Sequence, residues 1–248
     1  MIACNLDGHV AEVVLDRPAT RNALGMDDWR ALAAAIAAAA AQGARAVLLR
    51  SGVAGSFCSG SDLREIGGLA EAVDQRAVFR NVMREAMDPF QTLPLATIAV
   101  VEGDCFGGGV ALALACDIRI ASPAAVFAIT PAKLGISYPQ EDVNRLAALV
   151  GRGQAARLLF GAGRIDAAEA ARIGLVEMVE DDALGAAQAL AKQIAANAPV
   201  SVGKLKAALG DSGQGHDPAH DAAFDDGFGG AAFAEGLAAF RERRSPRF

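Results

Sequence analysis

Three consecutive glycines, Gly107, Gly108 and Gly109, join an apolar strand-like run to an apolar helix-like one, and no other feature of the 248-residue chain constrains its fold as tightly. The first turn of a helix has N–H groups with no partner inside it. With no side chains at the junction, those donors stay open to a ligand. The same terminus carries partial positive charge and favours an anion, or an oxygen that becomes anionic. Close packing of a helix on a strand also selects glycine, so both readings stand on this run alone.

The chain around the glycines alternates. Residues 2–6 and 9–15 are β-rich and joined by Asp7-Gly8, a two-residue hairpin signal. An alanine-rich amphipathic helix is expected over 27–42, stopping at Gly43, then a strand over 45–50. A second helix over 71–93 stops before Pro94 and feeds a strand over 97–102. After the glycines come a helix over 107–115, a strand over 117–121 and a helix over 138–150. Strand, helix and strand in this order require crossover connections, hence parallel pairing and an α/β domain. From residue 181 the pattern is helical only, with segments 182–197, 200–209 and 229–243 broken by Pro199 and the glycine-rich stretch 210–215. The expected division is therefore a core over 1–180 and a helical packing or oligomerisation element over 181–248.

Charge and composition exclude several classes. A net charge of −6 argues against general affinity for nucleic acid or an anionic membrane. The alanine-rich stretch 31–41 is too short to cross a bilayer. The N-terminal residues show neither a basic start with an apolar core nor a cleavage site, so a cytoplasmic protein is expected. The four cysteines, Cys4, Cys58, Cys105 and Cys116, are widely spaced and read as reduced core thiols. His216 and His220 have helical i, i+4 spacing but no third ligand beside them, so no metal is expected and a loop or helix start is the reading.

A second small-residue stretch, residues 51–63, follows the strand at 45–50. Its Gly60 lets the backbone bring the N–H of Ser61 against a ligand. Neither glycine stretch fits a dinucleotide fingerprint, and no phosphate-loop lysine is present.

Taken together, the motifs resemble the crotonase superfamily, also called the enoyl-CoA hydratase/isomerase family, over nearly the whole chain. Asp16-Arg-Pro-Ala-Thr-Arg-Asn-Ala-Leu24 is similar to its N-terminal loop, and Phe57-Cys-Ser-Gly-Ser-Asp-Leu63 and Glu102-Gly-x-x-x-Gly-Gly-Gly109 to its two oxyanion segments. Residues 165–179 and 235–248 resemble its post-site segment and C-terminal end. The resemblance implies a crotonase-like spiral of ββα units, homotrimers or dimers of trimers, and an acyl-coenzyme A thioester bound as substrate, with no separate cofactor. It implies that the thioester oxygen accepts hydrogen bonds from the N–H groups of Ser61 and Gly108. It implies adenine and pantetheine contacts at Arg17, Ala23, Ser59, Gly60 and Asp62, and phosphate contacts from Arg241, Arg243 or Arg244 of a neighbouring subunit. Asp62 also reads as a helix cap.

The chain departs from the family at two positions. Where hydratases of the family carry two catalytic glutamates, this sequence has Ala111 and Pro131. Neither side chain transfers a proton. The candidates that remain are Tyr138, Glu141 and Asp142. The order Thr130-Pro-Ala-Lys-Leu-Gly-Ile-Ser-Tyr138 is similar to the methylmalonyl-CoA decarboxylase branch, in which a tyrosine holds the substrate carboxylate. The expected reaction is decarboxylation or double-bond isomerisation through a thioester enolate. A hydratase with unusual acids and a non-turning acyl-CoA-binding protein are the alternatives.

Overall fold

Strands β3 (Ala46–Ser51) and β5 (Ala96–Val101) are apolar along nearly their whole length because both faces are covered. In a computed structural model, whose described residues are 1–212 and 215–248, they lie at the centre of a six-stranded sheet. Part of the glycine-rich stretch 210–215 therefore lies outside the described residues. The sheet order is β1 (Ile2–Asp7), β2 (Val10–Leu15), β3, β5, β7 (Ile118–Ala121), β10 (Met178–Val179), parallel except for the β1/β2 hairpin. Asp7 pairs with Val10, so the hairpin turn is Gly8-His9, one residue beyond the Asp7-Gly8 expected. Gly8, at φ +58°, supplies the left-handed conformation such a turn needs.

Alternate residues serve two cores, as a period of two dictates. Val13, Val47, Leu49, Ala99 and Val101 face α1 (Met26–Ala41) and α3 (Val73–Thr92). Val10, Leu48, Ile98, Val100 and Ile120 face α7 (Ala183–Ala195). Helix α7 presents Ala183, Ala187, Ala191 and Ala195, one residue per turn, which lets it approach the sheet closely.

A second sheet was not anticipated. Strands β4 (Gly55–Cys58), β6 (Gly103–Phe106), β8 (Val126–Ala128) and β9 (Ile165–Asp166) form it in that order. Each is too short and too rich in small residues to show a period. They reveal the repeating unit: β3 and β4 lead into α2 (Leu63–Gly68) and α3, β5 and β6 into α4 (Gly108–Ala115), β7 and β8 into α5 (Gln140–Gly161). Each ββα unit gives its first strand to the large sheet and its second to the small one, and this is the expected spiral. Helix α5 runs eleven residues beyond the expected end at 150, with a break at Gly151, whose φ of +74° and ψ of 157° are not helical. Beyond α6 (Ala167–Arg172) and α7 come α8 (Pro199–Gly210), α9 (Pro218–Gly227) and α10 (Ala231–Glu242). Helix α9 begins where a loop or a helix start was expected around His216 and His220; Asp217 caps it by accepting from Ala219 N–H, and His220 lies in its first turn.

No helix of the described residues is long and apolar enough to cross a membrane. The four cysteines are free thiols, and burial pushes Cys58 and Cys116 up to about 12, which makes them inert.

Candidate active site

Strands β4 and β6 are parallel neighbours with Cys58 opposite Cys105. Ser61 and Gly108 each stand three residues past that pair, so they occupy equivalent points of adjacent ββα units. Two chains that leave paired strands together arrive side by side. A Cβ on Gly108 would sit 3.3 Å from the Ser61 nitrogen, and one on Gly60 would sit 3.1 Å from the Gly108 nitrogen. Gly60 has φ +102° and its added Cβ would lie 2.9 Å from the Phe106 carbonyl oxygen. Only glycine satisfies both demands. Gly109 is equally constrained, since its Cβ would lie 2.3 Å from the Cys58 carbonyl oxygen.

The hydrogen bonds around these nitrogens leave both open. Leu24 bridges to the Ser61 segment by donating to the Gly60 carbonyl at 2.8 Å and accepting from Asp62 N–H at 3.0 Å. That parallel pattern passes over the N–H of Ser61. Gly107 donates to the Ala128 carbonyl at 2.9 Å, and Gly108 begins the helix, where no earlier turn exists to receive its proton. Among the described residues, neither Ser61 N–H nor Gly108 N–H donates to a protein group. Beneath them Trp29 is fully buried, its Cζ2 3.5 Å from the position of a Gly108 Cβ and its indole N–H without a partner.

The two positions at which hydratases of the family carry glutamates are not ionisable here. Ala111 is fully buried in α4, one turn past Gly108. Pro131 begins a 3₁₀ turn, Pro131–Leu134, next to Thr130, whose Oγ1 would lie 3.3 Å from a Cβ on Gly107.

Tyr138 closes the turn from the far side. Its hydroxyl donates to the Gly107 carbonyl at 2.8 Å, and burial raises the phenol well above its ordinary value. With that single donor engaged, the hydroxyl as placed supports the glycine turn; holding a substrate carboxylate requires exchanging this bond. Glu141 lies in the first turn of α5 and pairs with Arg84 of α3. Its own backbone N–H and the Arg84 guanidinium hold its carboxyl below the usual range, so it is a weak base and no acid near neutrality. Its neighbour Asp142 is fully buried, and burial pushes its carboxyl up to about 6 despite an ion pair with Arg145 at 2.8 Å.

The loop over 17–23 is held by bonds that the motif alone does not reveal. Arg17 donates to the Ala23 carbonyl and pairs with Asp28, so its guanidinium secures the loop instead of standing free for a phosphate. Asn22 is fully buried at φ +57°, donates to Ser51 Oγ at 2.8 Å and to the Phe57 carbonyl at 2.9 Å, and accepts from Arg17 N–H at 2.7 Å. Asparagine's tolerance of the left-handed region was the available signal for this clamp. Ser59 donates through its N–H to the Arg21 carbonyl and through its hydroxyl to the Thr20 carbonyl. Asp62 accepts from Arg64 N–H and caps α2, as its helix-cap reading expected. At the C-terminus Arg244 is taken by Glu235 and Glu242, and its guanidinium together with Arg247 N–H holds Glu235 down to about 2. Arg244 is thus an internal staple. His216 pairs with Asp221, whereas His220 lies against Asp211 at 2.9 Å, so the two histidines do not converge.

Two strands leaving a small sheet in register, with free amides at their equivalent ends and an apolar helix behind one of them, define a crotonase-type fold. The chain belongs to the enoyl-CoA hydratase/isomerase family: residues 5–248 match that family's model, described as enoyl-CoA hydratase/isomerase. It is 35% identical to the human enoyl-CoA hydratase domain-containing protein 2, mitochondrial, over 98% of this chain and 86% of that one. Among solved structures, an enoyl-CoA hydratase/isomerase family protein from Hyphomonas neptunium superposes with a TM-score of 0.95 at 35% identity, covering 100% of this chain and 97% of the other. An enoyl-CoA hydratase from Bacillus anthracis gives a TM-score of 0.91 at 30% identity, with 100% and 98% covered. The family acts on acyl-CoA thioesters. The cytoplasmic expectation is overturned: the human protein and a relative from Arabidopsis thaliana are named mitochondrial, while other relatives are bacterial. The expectation rested on the first residues showing no export signal, and a folded α/β core itself carries no compartmental address.

Proposed function

We propose that this chain converts an acyl-CoA thioester through its enolate, by decarboxylation or by migration of a double bond, with the N–H groups of Ser61 and Gly108 receiving the charged oxygen. In decarboxylation the bond from the α-carbon to the leaving carboxylate breaks, its electron pair forms the enolate, and the carbonyl π pair moves onto oxygen. No base is needed to begin. The observation that carries this reading is the pair of adjacent, unengaged amide donors, in a chain with Ala and Pro at positions 111 and 131. Each donor of such a hole lowers the barrier by about 3–4 kcal/mol. No cofactor is required beyond the coenzyme A that the substrate carries.

In this reading the main chain of 17–23 and of 59–62 receives the adenine and pantetheine, since Arg17 is bound internally. Tyr138 keeps the glycine turn in shape through the Gly107 carbonyl. The working form is a homotrimer or a dimer of trimers. What supports self-association is the apolar surface of the C-terminal helices, where Phe224, Phe228 and Phe240 are all exposed.

Purified protein given crotonyl-CoA, a 3-enoyl-CoA and methylmalonyl-CoA, with conjugation and CO2 release followed, tests the reaction. Product from either of the last two is expected; fast hydration of crotonyl-CoA instead would replace this reading with a hydratase using another acid. Tight binding without product from any of them would identify a non-catalytic binder. Gly108→Pro removes one donor and is expected to abolish turnover in a folded protein. An undiminished rate in that variant discards the proposed hole.

A further inference from the structure

The carboxyl of Asp142 has no part in the reading above, yet it is the most unusual ionisable group near the glycine turns. Its side chain is 1% exposed. One oxygen, Oδ1, accepts from Arg145 at 2.8 Å, and Arg145 is itself held by Gln91 at 3.0 Å and by Asp88 at 3.7 Å, both on α3. The other oxygen, Oδ2, is buried with no hydrogen-bond partner. A buried carboxylate oxygen without a donor costs free energy and persists where something else is meant to meet it.

What it adjoins is a cavity of about 10 Å³ between α3 and α5, lined by Asp142 and Arg145 on one side and by Met83 and Arg84 on the other. That volume is at the lower limit for one water. Met83 Sδ lies 4.0 Å from Ser61 Oγ, so a single side chain separates the cavity from the first amide of the hole. Tyr138, close enough for the Asp142 charge to act on its phenol, is bonded to the Gly107 carbonyl on the other side.

We propose that Asp142 moves the proton at the α-carbon of the bound thioester, as carboxylate taking it and as carboxylic acid returning it, through one water. The inference rests on the enolate reading. In the forward sense the α C–H bond breaks, its pair enters the enolate, and the proton resides on Asp142. In decarboxylation no C–H bond is broken first: Asp142 starts as the carboxylic acid, its O–H bond breaks as the new C–H bond forms at the enolate carbon, and the carboxylate left behind takes a proton from solvent. The competing groups are disqualified on chemical grounds. Ala111 and Pro131 cannot ionise, Glu141 is neutralised by Arg84 at the rim, and Tyr138 is bonded to Gly107. The charges that face Asp142 are Arg145 and Glu141 on α5, Arg80, Arg84 and Asp88 on α3, and the phenol of Tyr138; α4 contributes only apolar residues. Burial outweighs Arg145 and brings the carboxyl to about 6, where acid and base forms are both available near neutrality.

Exchange of the α-protons of butyryl-CoA in D2O, followed by proton NMR, tests this without depending on which product the enzyme makes. The wild-type protein is expected to exchange them, along a rate limb that rises with pH through about 6. Asp142→Asn is expected to slow exchange at least about 100-fold and to lose that limb, with butyryl-CoA affinity by calorimetry unchanged. Asp142→Glu, which keeps a carboxyl, should recover part of the rate. If the Asn variant does not fold, Asp142→Ser carries the same comparison. Exchange within threefold of wild type in a folded variant overturns the assignment, and so does wild-type protein that binds butyryl-CoA without exchanging it. In either case product formation from methylmalonyl-CoA or the 3-enoyl-CoA leaves the enolate reading standing, whereas wild-type protein that neither binds nor turns over any thioester ends both.

Discussion

At the scale of single residues, the bond from Tyr138 to the Gly107 carbonyl and the burial of Asp142 each have a measurable consequence. A neutral hydrogen bond contributes about 0.5–1.5 kcal/mol net, so Tyr138→Phe should lower kcat by roughly two- to tenfold with KM little changed. If the hydroxyl instead gripped a substrate carboxylate, a charged bond of about 1.5–3 kcal/mol would be lost, and steady-state kinetics would record a larger drop together with a raised KM. For Asp142 the sign follows from its raised folded-state value. An acid whose carboxyl goes from 3.8 in the unfolded chain to about 6 when folded binds its proton more tightly in the folded state. Its contribution is therefore most favourable below about 4 and is lost as pH rises through 6. The melting temperature of the wild type relative to Asp142→Asn should accordingly improve as pH falls from 7 to 4. A difference that does not vary with pH over that range would show that the carboxyl does not change protonation on folding.

Elements were legible in the sequence in proportion to their length and period. The long helices α1 and α3 were readable because a dozen or more residues repeat one apolar pattern, and the six-residue strands β3 and β5 because each is a short apolar run beside a helix stop. The second sheet was not, since strands such as Gly103–Phe106 bury small residues by pairing with one another, a relation that no local window contains. The same holds inside the candidate site. Gly60 and the glycine run were visible as letters, whereas the Asn22 clamp and the half-free carboxyl of Asp142 depend on neighbours up to tens of residues away. Helix α7 illustrates what an element demands in return. Its alanine ridge seats against Leu48, Ile98 and Val100, so Ala187→Leu forces extra volume into a filled interface. Overpacking of this kind costs about 1–3 kcal/mol. For a chain of this size that corresponds to a fall of roughly 2–12 °C in Tm, which thermal denaturation would register. An unchanged Tm would mean that α7 rides loosely on the sheet.

At the scale of the whole molecule, the two sheets and the helices that cover them bury the central strands, but the C-terminal helices leave large apolar side chains uncovered. Phe224 and Phe228 meet edge to face at 5.2 Å, Phe228 and Phe233 at 5.3 Å, and Phe240 is 82% exposed beyond them. Leu205 and Leu209 on α8 are more than half exposed as well. Large apolar side chains left exposed in such number on the C-terminal helices are ordinarily the sign of an interface. The proposed homotrimer accounts for it, and light scattering coupled to size-exclusion chromatography should return three or six times the 25.3 kDa of one chain. Placing a carboxylate in that surface by Phe228→Asp should shift the assembly toward monomer, because an unpaired charge would have to be buried at each contact. The catalytic core of each chain is built from its own strands, so the monomeric variant should keep its α-helical and β-sheet signal by circular dichroism while its Tm falls. A wild-type protein that elutes as a monomer at micromolar concentration would contradict the assembly and leave the aromatic cluster to pair with something other than itself.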